Sequence, residues 1–241
     1  MTPGAAIALR ATGALAIAAL LAAAVWLGYD ALARRPIADV QFVGDTARVA
    51  GADLERLAAG LRGKQAREVA LPALRDAVRR VAWVRDCAVR HVFPATLKVT
   101  LESHSPLARW DETRLVSTRG EVFVAEFEGA LPRFSGPEGA AAEMAAAWAA
   151  ISRAAQPLAA PIVELRLSER RAWQARLASG LAIELGRNET EARLARFAAA
   201  WPRIAVEAAA ATHADLRYPN GFALRGVAGP ERKPAPPGKK A

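Results

Sequence analysis

The chain is poor in the residues that do chemistry. In 241 residues there is one cysteine, three histidines and two tyrosines, and aromatic residues make up 6%. With Cys87 alone, no intrachain disulfide can form, and C-x-x-C metal or redox pairs are excluded. His91, His104 and His213 lie far apart along the chain, so a three-histidine metal site would need a convergence that nothing in the sequence supports. No G-x-S-x-G, H-E-x-x-H or dinucleotide glycine pattern occurs, and GLRGKQ (60–65) lacks the first glycine and the Ser/Thr of a phosphate-binding loop. Cys87 and His91, four residues apart on an expected strand, stand about 13 Å from one another, beyond nucleophile–base reach. These absences exclude the common hydrolase, metalloenzyme and nucleotide-binding classes, and no cofactor is implied.

Two further features set the class. The chain is 53% hydrophobic, but much of this is alanine, which buries little area per residue, so small layered domains are expected. The net charge is +9, with the arginines scattered. Arg75, Arg79, Arg80 and Arg85 cluster around one helix and the following strand, but only Trp83 interleaves with them. They read as a solvated face rather than a nucleic-acid surface.

Long apolar runs are absent except at the start. From Ala11 to Tyr29 no charged residue occurs. As a helix this stretch reaches about 28 Å, near the thickness of a bilayer's hydrocarbon core. Trp26 and Tyr29 would sit at one headgroup level, with Arg34 and Arg35 beyond them. The pattern predicts a leader over 1–10 and a membrane helix over 11–33. A cleavable signal peptide is the alternative, although its apolar stretch is usually only about 7–15 residues. Positive charge lies on both sides of the run and fixes no direction.

Residues 36–105 read as a first folded unit of order β-α-α-β-β. IADVQFV (37–43) is a strand closed by Gly44-Asp45. Leu54, Leu57 and Leu61 mark a helix that stops near Gly60 to Gly63. A second helix starts around Pro72, with Leu71, Leu74, Val78 and Val81 on one stripe. Trp83 to Val92 and Thr96 to Glu102 form two strands joined at Phe93-Pro94-Ala95, with Leu97, Val99 and Leu101 inward.

Residues 106–225 read as a second unit. Leu115-Val116 and Val122 to Phe127 flank Gly120 as a hairpin, and Glu138 to Ala155 is an alanine-rich helix. Val163 to Leu167, Ala172 to Leu177 and Leu181 to Leu185 form a meander. Asn188 with Glu191 predicts a capping box for a helix ending at Pro202. Ala214 to Tyr218 and Phe222 to Leu224 pair around the turn Pro219-Asn220-Gly221, with the glycine free to take positive φ. Residues 226–241, rich in Pro, Gly and Lys, read as a disordered basic tail.

Several strings, in order and at matching spacing, carry a resemblance: VQFVG (40–44), WVRDCAVRHVFPATLKVTL (83–101), PLARW (106–110) and LVSTRGEVF (115–123). RRAWQARL (170–177), LGR (185–187), RLARF (193–197) and DLRYPNGFAL (215–224) continue it. The chain resembles the FtsQ/DivIB family of bacterial division proteins. Where family members carry a glutamate three residues before the proline of PLARW, Ser103 stands, with Glu102 beside it. The resemblance implies an α+β fold, with an N-terminal transmembrane helix, a POTRA-like domain and a mixed, mostly antiparallel β-domain with two helices. It implies a non-enzymatic divisome scaffold in the inner membrane at the septum, single-pass with most of the chain periplasmic. The scaffold would link early and late division proteins by binding the FtsB–FtsL complex, and meet other divisome membrane proteins through its POTRA domain and membrane helix. The alternative is a POTRA-containing envelope transport or assembly factor. By resemblance, Arg217, Tyr218, Asn220, Gly221, Phe222, Ala223 and Leu224 would frame the edge that receives FtsB, and Arg170 or Arg171 would meet acidic groups on it.

Overall fold

A computed structural model describes residues 3–33, 35–92 and 95–226. The tail expected beyond Gly226 and Phe93-Pro94 of the strand connection lie outside these. The chain opens on one helix, α1 (Pro3–Ala33). Its apolar side chains Ile17, Leu20, Leu21, Val25, Trp26 and Leu27 are all exposed. Among the described residues no helix is long and apolar enough to cross a membrane. The expected span begins at Ala11, and its side chains up to Leu15 lie outside the described set.

Beyond α1 the fold is α+β, and the chain divides into two units, residues 1–104 and 105–241. The first contains β1 (Asp39–Gly44), α2 (Gly51–Ala59), α3 (Leu71–Arg79), β2 (Val84–Val92) and β3 (Thr96–Ser103). The predicted β-α-α-β-β order is therefore present. The sheet order is β1-β3-β2, with β3 parallel to β1 and antiparallel to β2. Burial alternates along β3, and Leu97, Val99 and Leu101 are almost wholly enclosed, as the period-two pattern requires. α2 packs on β1 and α3 on β2, where Leu74 and Val78 fill the core. Pro72 opens α3, where its missing N–H has no partner to lose. At Gly44, with φ +93°, a Cβ would lie 2.5 Å from the Leu101 carbonyl oxygen, so only glycine lets the chain leave β1 this close to β3. Ser103 is buried, and its hydroxyl donates to the Asp45 carbonyl at 2.6 Å, which ties β3 to the same turn.

The second unit contains β4 (Pro106–Arg109), β5 (Arg114–Ser117), β6 (Val122–Val124), β7 (Arg133–Ser135), α4 (Ala141–Ala155), β8 (Ile162–Leu167), β9 (Trp173–Leu177), β10 (Ala182–Gly186), α5 (Thr190–Ile204), β11 (His213–Asp215) and β12 (Ala223–Arg225). One mixed sheet runs β12-β11-β10-β9-β8-β7-β4-β5-β6. The meander β8-β9-β10 is antiparallel as expected. α4 and α5 cover one face, where Phe134, Met144, Leu165, Leu185, Leu194 and Phe197 are fully buried.

Four expectations in this unit need correction. The hairpin strand expected to reach Phe127 ends at Val124. α4 starts at Ala141 rather than Glu138, because the chain first turns through Gly139 at φ +78°. No capping box opens α5: its N-cap is Glu189, in the left-handed region and without a side-chain cap bond, so Asn188 lies one residue too early. Pro202 sits inside α5 and not at its end. It falls in the last turn, where the helix has few bonds left to lose, and the chain stays helical to Ile204.

A candidate partner-binding edge at one end of the sheet

β12 is the last strand of the nine, and no described strand lies outside it. The direction of its backbone groups follows from β11. The Ala182 N–H donates to the Thr212 carbonyl at 3.0 Å and the Leu216 N–H to the Glu184 carbonyl at 2.9 Å. In a parallel pair this alternation turns the even residues of β11 to β10, and the odd residues His213 and Asp215 to β12. Their partners are Arg225 and Ala223. Leu224, between them, therefore directs its N–H and C=O to the free side. Its side chain packs toward the core.

The expected tight hairpin is absent. β11 ends at Asp215 and β12 begins at Ala223, so residues 216–222 form a loop, and Arg217 and Tyr218 lie off the strand. Gly221 does not take a positive φ. Asp215 explains the early end of β11. Its carboxylate accepts the Arg217 backbone N–H at 3.0 Å, and Arg217 Nε and Nη2 at 2.9 and 2.6 Å. A carboxylate that captures the N–H two residues on folds the chain into a turn and competes with the ladder. Hydrogen bonding from Arg217 holds the Asp215 carboxyl at about 2 and raises the arginine.

Arg217, Tyr218, Asn220 and Gly221 are all exposed. Tyr218 retains 54% of its surface, an aromatic ring with little to hold it in the free chain. Phe222 points the other way: its ring meets Phe197 edge-on at 4.9 Å and anchors the loop to the core.

The two arginines from the β8–β9 turn come to the same end of the sheet. Trp173 at the start of β9 is opposite Gly186, Glu184 is opposite Asp215, and Asp215 is opposite Ala223. The turn before Trp173 and the loop after Asp215 thus share one rim, with three strand spacings, about 14 Å, between β9 and β12. Arg170 is exposed on this rim and lines a recess with Ser135, Gly136, Pro137, Arg166 and Ser168. Arg171, at φ +63°, is paired with Glu143 of α4.

Sequence reasoning did not single out Arg193 of α5. Its Nη1 donates to the Leu185 carbonyl at 3.1 Å, and its buried Nε has no partner among the described residues. It fits because residue 186 is glycine at φ +81°, where a Cβ would stand 2.7 Å from Arg193 Nη1 and 3.3 Å from Arg217 Cγ. The strings LGR and RLARF are therefore two halves of one packing arrangement beneath the Arg217 loop. Among the described residues no group of His, Cys, Asp and Glu could hold a metal ion.

The family model "Cell division protein FtsQ/DivIB, C-terminal" matches residues 108–217, which include Arg170, Arg171 and Arg217 and stop before Tyr218. The chain is 41% identical over 165 residues to a cell division protein FtsQ from Burkholderia pseudomallei, a match covering 65% of this chain and 66% of that one. It is 34% identical over 235 residues to cell division protein FtsQ of Bordetella pertussis, covering 87% of this chain and 86% of the relative. With the Xanthomonas campestris protein of the same name it shares 31% over 233 residues, covering 92% and 83%. By the extent of these matches, the chain belongs to the FtsQ family of cell division proteins.

Proposed function

We propose that this chain is a non-enzymatic scaffold of the division machinery, whose β12 edge receives a strand from a division partner. Family membership supports the division role. The observation that carries the mode of binding is the free edge at Leu224, next to the exposed Tyr218. Main-chain bonds to an added strand supply affinity, and the adjoining side chains supply selectivity. Tyr218 is the aromatic anchor, Arg217 and Arg170 meet acidic groups, and Asn220 and Gly221 shape the loop. The partner implied by the family resemblance is the FtsB–FtsL pair.

The same reading makes α1 a single membrane anchor, with the two folded units outside the cytoplasm and residues 36–105 as a POTRA-like domain. The uncharged stretch Ala11 to Tyr29 and the exposed apolar side chains of α1 support this. The test is binding of an FtsB segment to the full chain in detergent micelles, compared with Tyr218→Ala. Equal affinity, with both proteins folded by circular dichroism, rejects the edge as the docking site.

A further inference from the structure

The sheet of the second unit has another end. β6 closes it, and among the described residues this strand pairs with β5 alone. The direction of its backbone groups follows from two bonds. The Trp110 N–H donates to the Arg114 carbonyl at 2.9 Å, which turns the even residues of β5 toward β4. The Ser117 N–H donates to the Glu121 carbonyl at 2.9 Å, which turns the odd residues toward β6. In that register Leu115 is opposite Phe123, so Phe123 bonds to β5, and Val122 and Val124 direct their N–H and C=O to the free side.

The side chains follow the same alternation. Phe123 is buried, whereas Val122 and Val124 keep 41% and 65% of their surface. Val122 ends an apolar row: Ala108 of β4 is opposite Val116 of β5, and Val116 is opposite Val122. The first two belong to the core, and the row then stops at a half-exposed valine. The edge is also held in place. Gly120, at φ +81°, lies at the hairpin tip, where a Cβ would stand 2.4 Å from Ala142 Cα at the start of α4. Glycine lets the tip rest against that helix, so β6 is presented already ordered and a partner loses less entropy in pairing with it. Charge narrows the choice of occupant. The chain carries +9, yet from Arg119 to Glu128 three exposed glutamates, Glu121, Glu126 and Glu128, stand against one arginine. By the two-residue period Glu121 shares the face of Phe123, opposite to that of the two valines.

We propose that the β6 edge is a second strand-addition site, for an extended segment of a partner protein that alternates apolar with basic side chains. Its main chain pairs with Val122 and Val124, its apolar residues continue the row beyond Val122, and its basic residues face Glu121 and the glutamates that follow β6. The other occupants fit less well. Two copies joined by this edge would set six carboxylates against two guanidiniums. Residues 227–241 are basic, but Pro230, Pro234, Pro236 and Pro237 have no N–H to give to a ladder.

The experiment uses the full chain in detergent micelles and two end-blocked, fluorescent pentapeptides, one alternating lysine with valine and one alternating glutamate with valine. The basic peptide is expected to bind and to slow hydrogen exchange at the Val122 and Val124 amides at least tenfold, with Phe123 unchanged; the acidic peptide does neither. Val124→Pro deletes one outward N–H and lowers affinity at least tenfold, with circular dichroism as the folding control. Glu126→Lys combined with Glu128→Lys, both outside the strand, also weakens binding severalfold and leaves the fold intact. Tyr218→Ala leaves every reading unchanged, so this site and the β12 edge fail or stand independently. Equal binding of the two peptides, or fast exchange at Val122 and Val124 in the saturated complex, overturns the proposal. So does slow exchange at these amides without peptide, whether it is lost on dilution, as for a second copy, or on removal of residues 227–241.

Discussion

At Gly186 one missing methyl group decides how two arginines are placed. Alanine there would be strained by the positive φ and would collide with Arg193 Nη1. Gly186→Ala is expected to cost about 1–3 kcal/mol, a fall of roughly 2–10 °C in the thermal midpoint, and to weaken partner binding by displacing Arg217. Tyr218→Ala is expected, on the proposed reading, to act on binding alone. Loss of an exposed aromatic anchor at an interface centre costs about 2 kcal/mol, near thirtyfold in affinity, without a shift in the melting curve. Among the described residues acid acts most strongly through three carboxyls. Asp86, Asp111 and Asp215 are each held at about 2: Asp86 and Asp215 by arginine side chains first, Asp111 by the Thr113 backbone N–H first. Their pKa values are lowered in the folded chain, so the unfolded chain takes up protons first as pH falls. The stability they contribute is complete above about pH 4 and is lost toward pH 2. Urea midpoints measured from pH 7 to pH 2 should hold until about pH 4 and then decline, less steeply in Asp86→Asn.

At the scale of the element, the backbone groups of β12 alternate in direction. Ala223 and Arg225 bond to β11, whereas Leu224 faces outward. In the free chain the Leu224 amide should exchange quickly and its neighbours slowly; on binding a partner strand Leu224 should slow by at least tenfold. Fast exchange at Leu224 in the saturated complex would exclude main-chain pairing. Most elements were readable from sequence, because β3 alternates cleanly and α3 carries its apolar stripe at helical spacing. What escaped was set by tertiary context. β7 is three residues long and exists because β4 and β8 flank it on both sides. β11 lies parallel to β10 across the α5 connection, a long-range choice invisible in a three-residue strand. The Asn188 cap was misplaced by one residue, since Glu189 can enter the left-handed region at modest cost. At the candidate edge, the turn residues predict a tight hairpin, whereas residues 216–222, with Arg217 and Tyr218 among them, form a loop. The Asp215 side chain, which breaks the ladder there, looks like any strand-edge acid in sequence. Arg193 gave no local signal, because its meaning depends on a glycine on another element.

For the whole molecule, the proposed anchor and the two units make separate predictions. A reporter active only outside the cytoplasm should work when fused after Arg225, and a cytoplasmic reporter at the same place should be silent; the reverse pattern would overturn the orientation. Chelators should leave the melting curve of the full chain unchanged, and a fall on adding EDTA would reveal a metal requirement. The order of strands in the C-terminal sheet bears on synthesis. β11 and β12 follow α5, so the strand with the outward Leu224 is the last of the described strands to emerge from the ribosome. A nascent chain halted before His213 would leave its sheet ending at β10, with the Ala182 N–H and Glu184 carbonyl bare and no Tyr218 nearby. On the proposed reading, recruitment through this edge waits for the C-terminal fold to be complete, and chains truncated before His213 lack the strand with which a partner would pair.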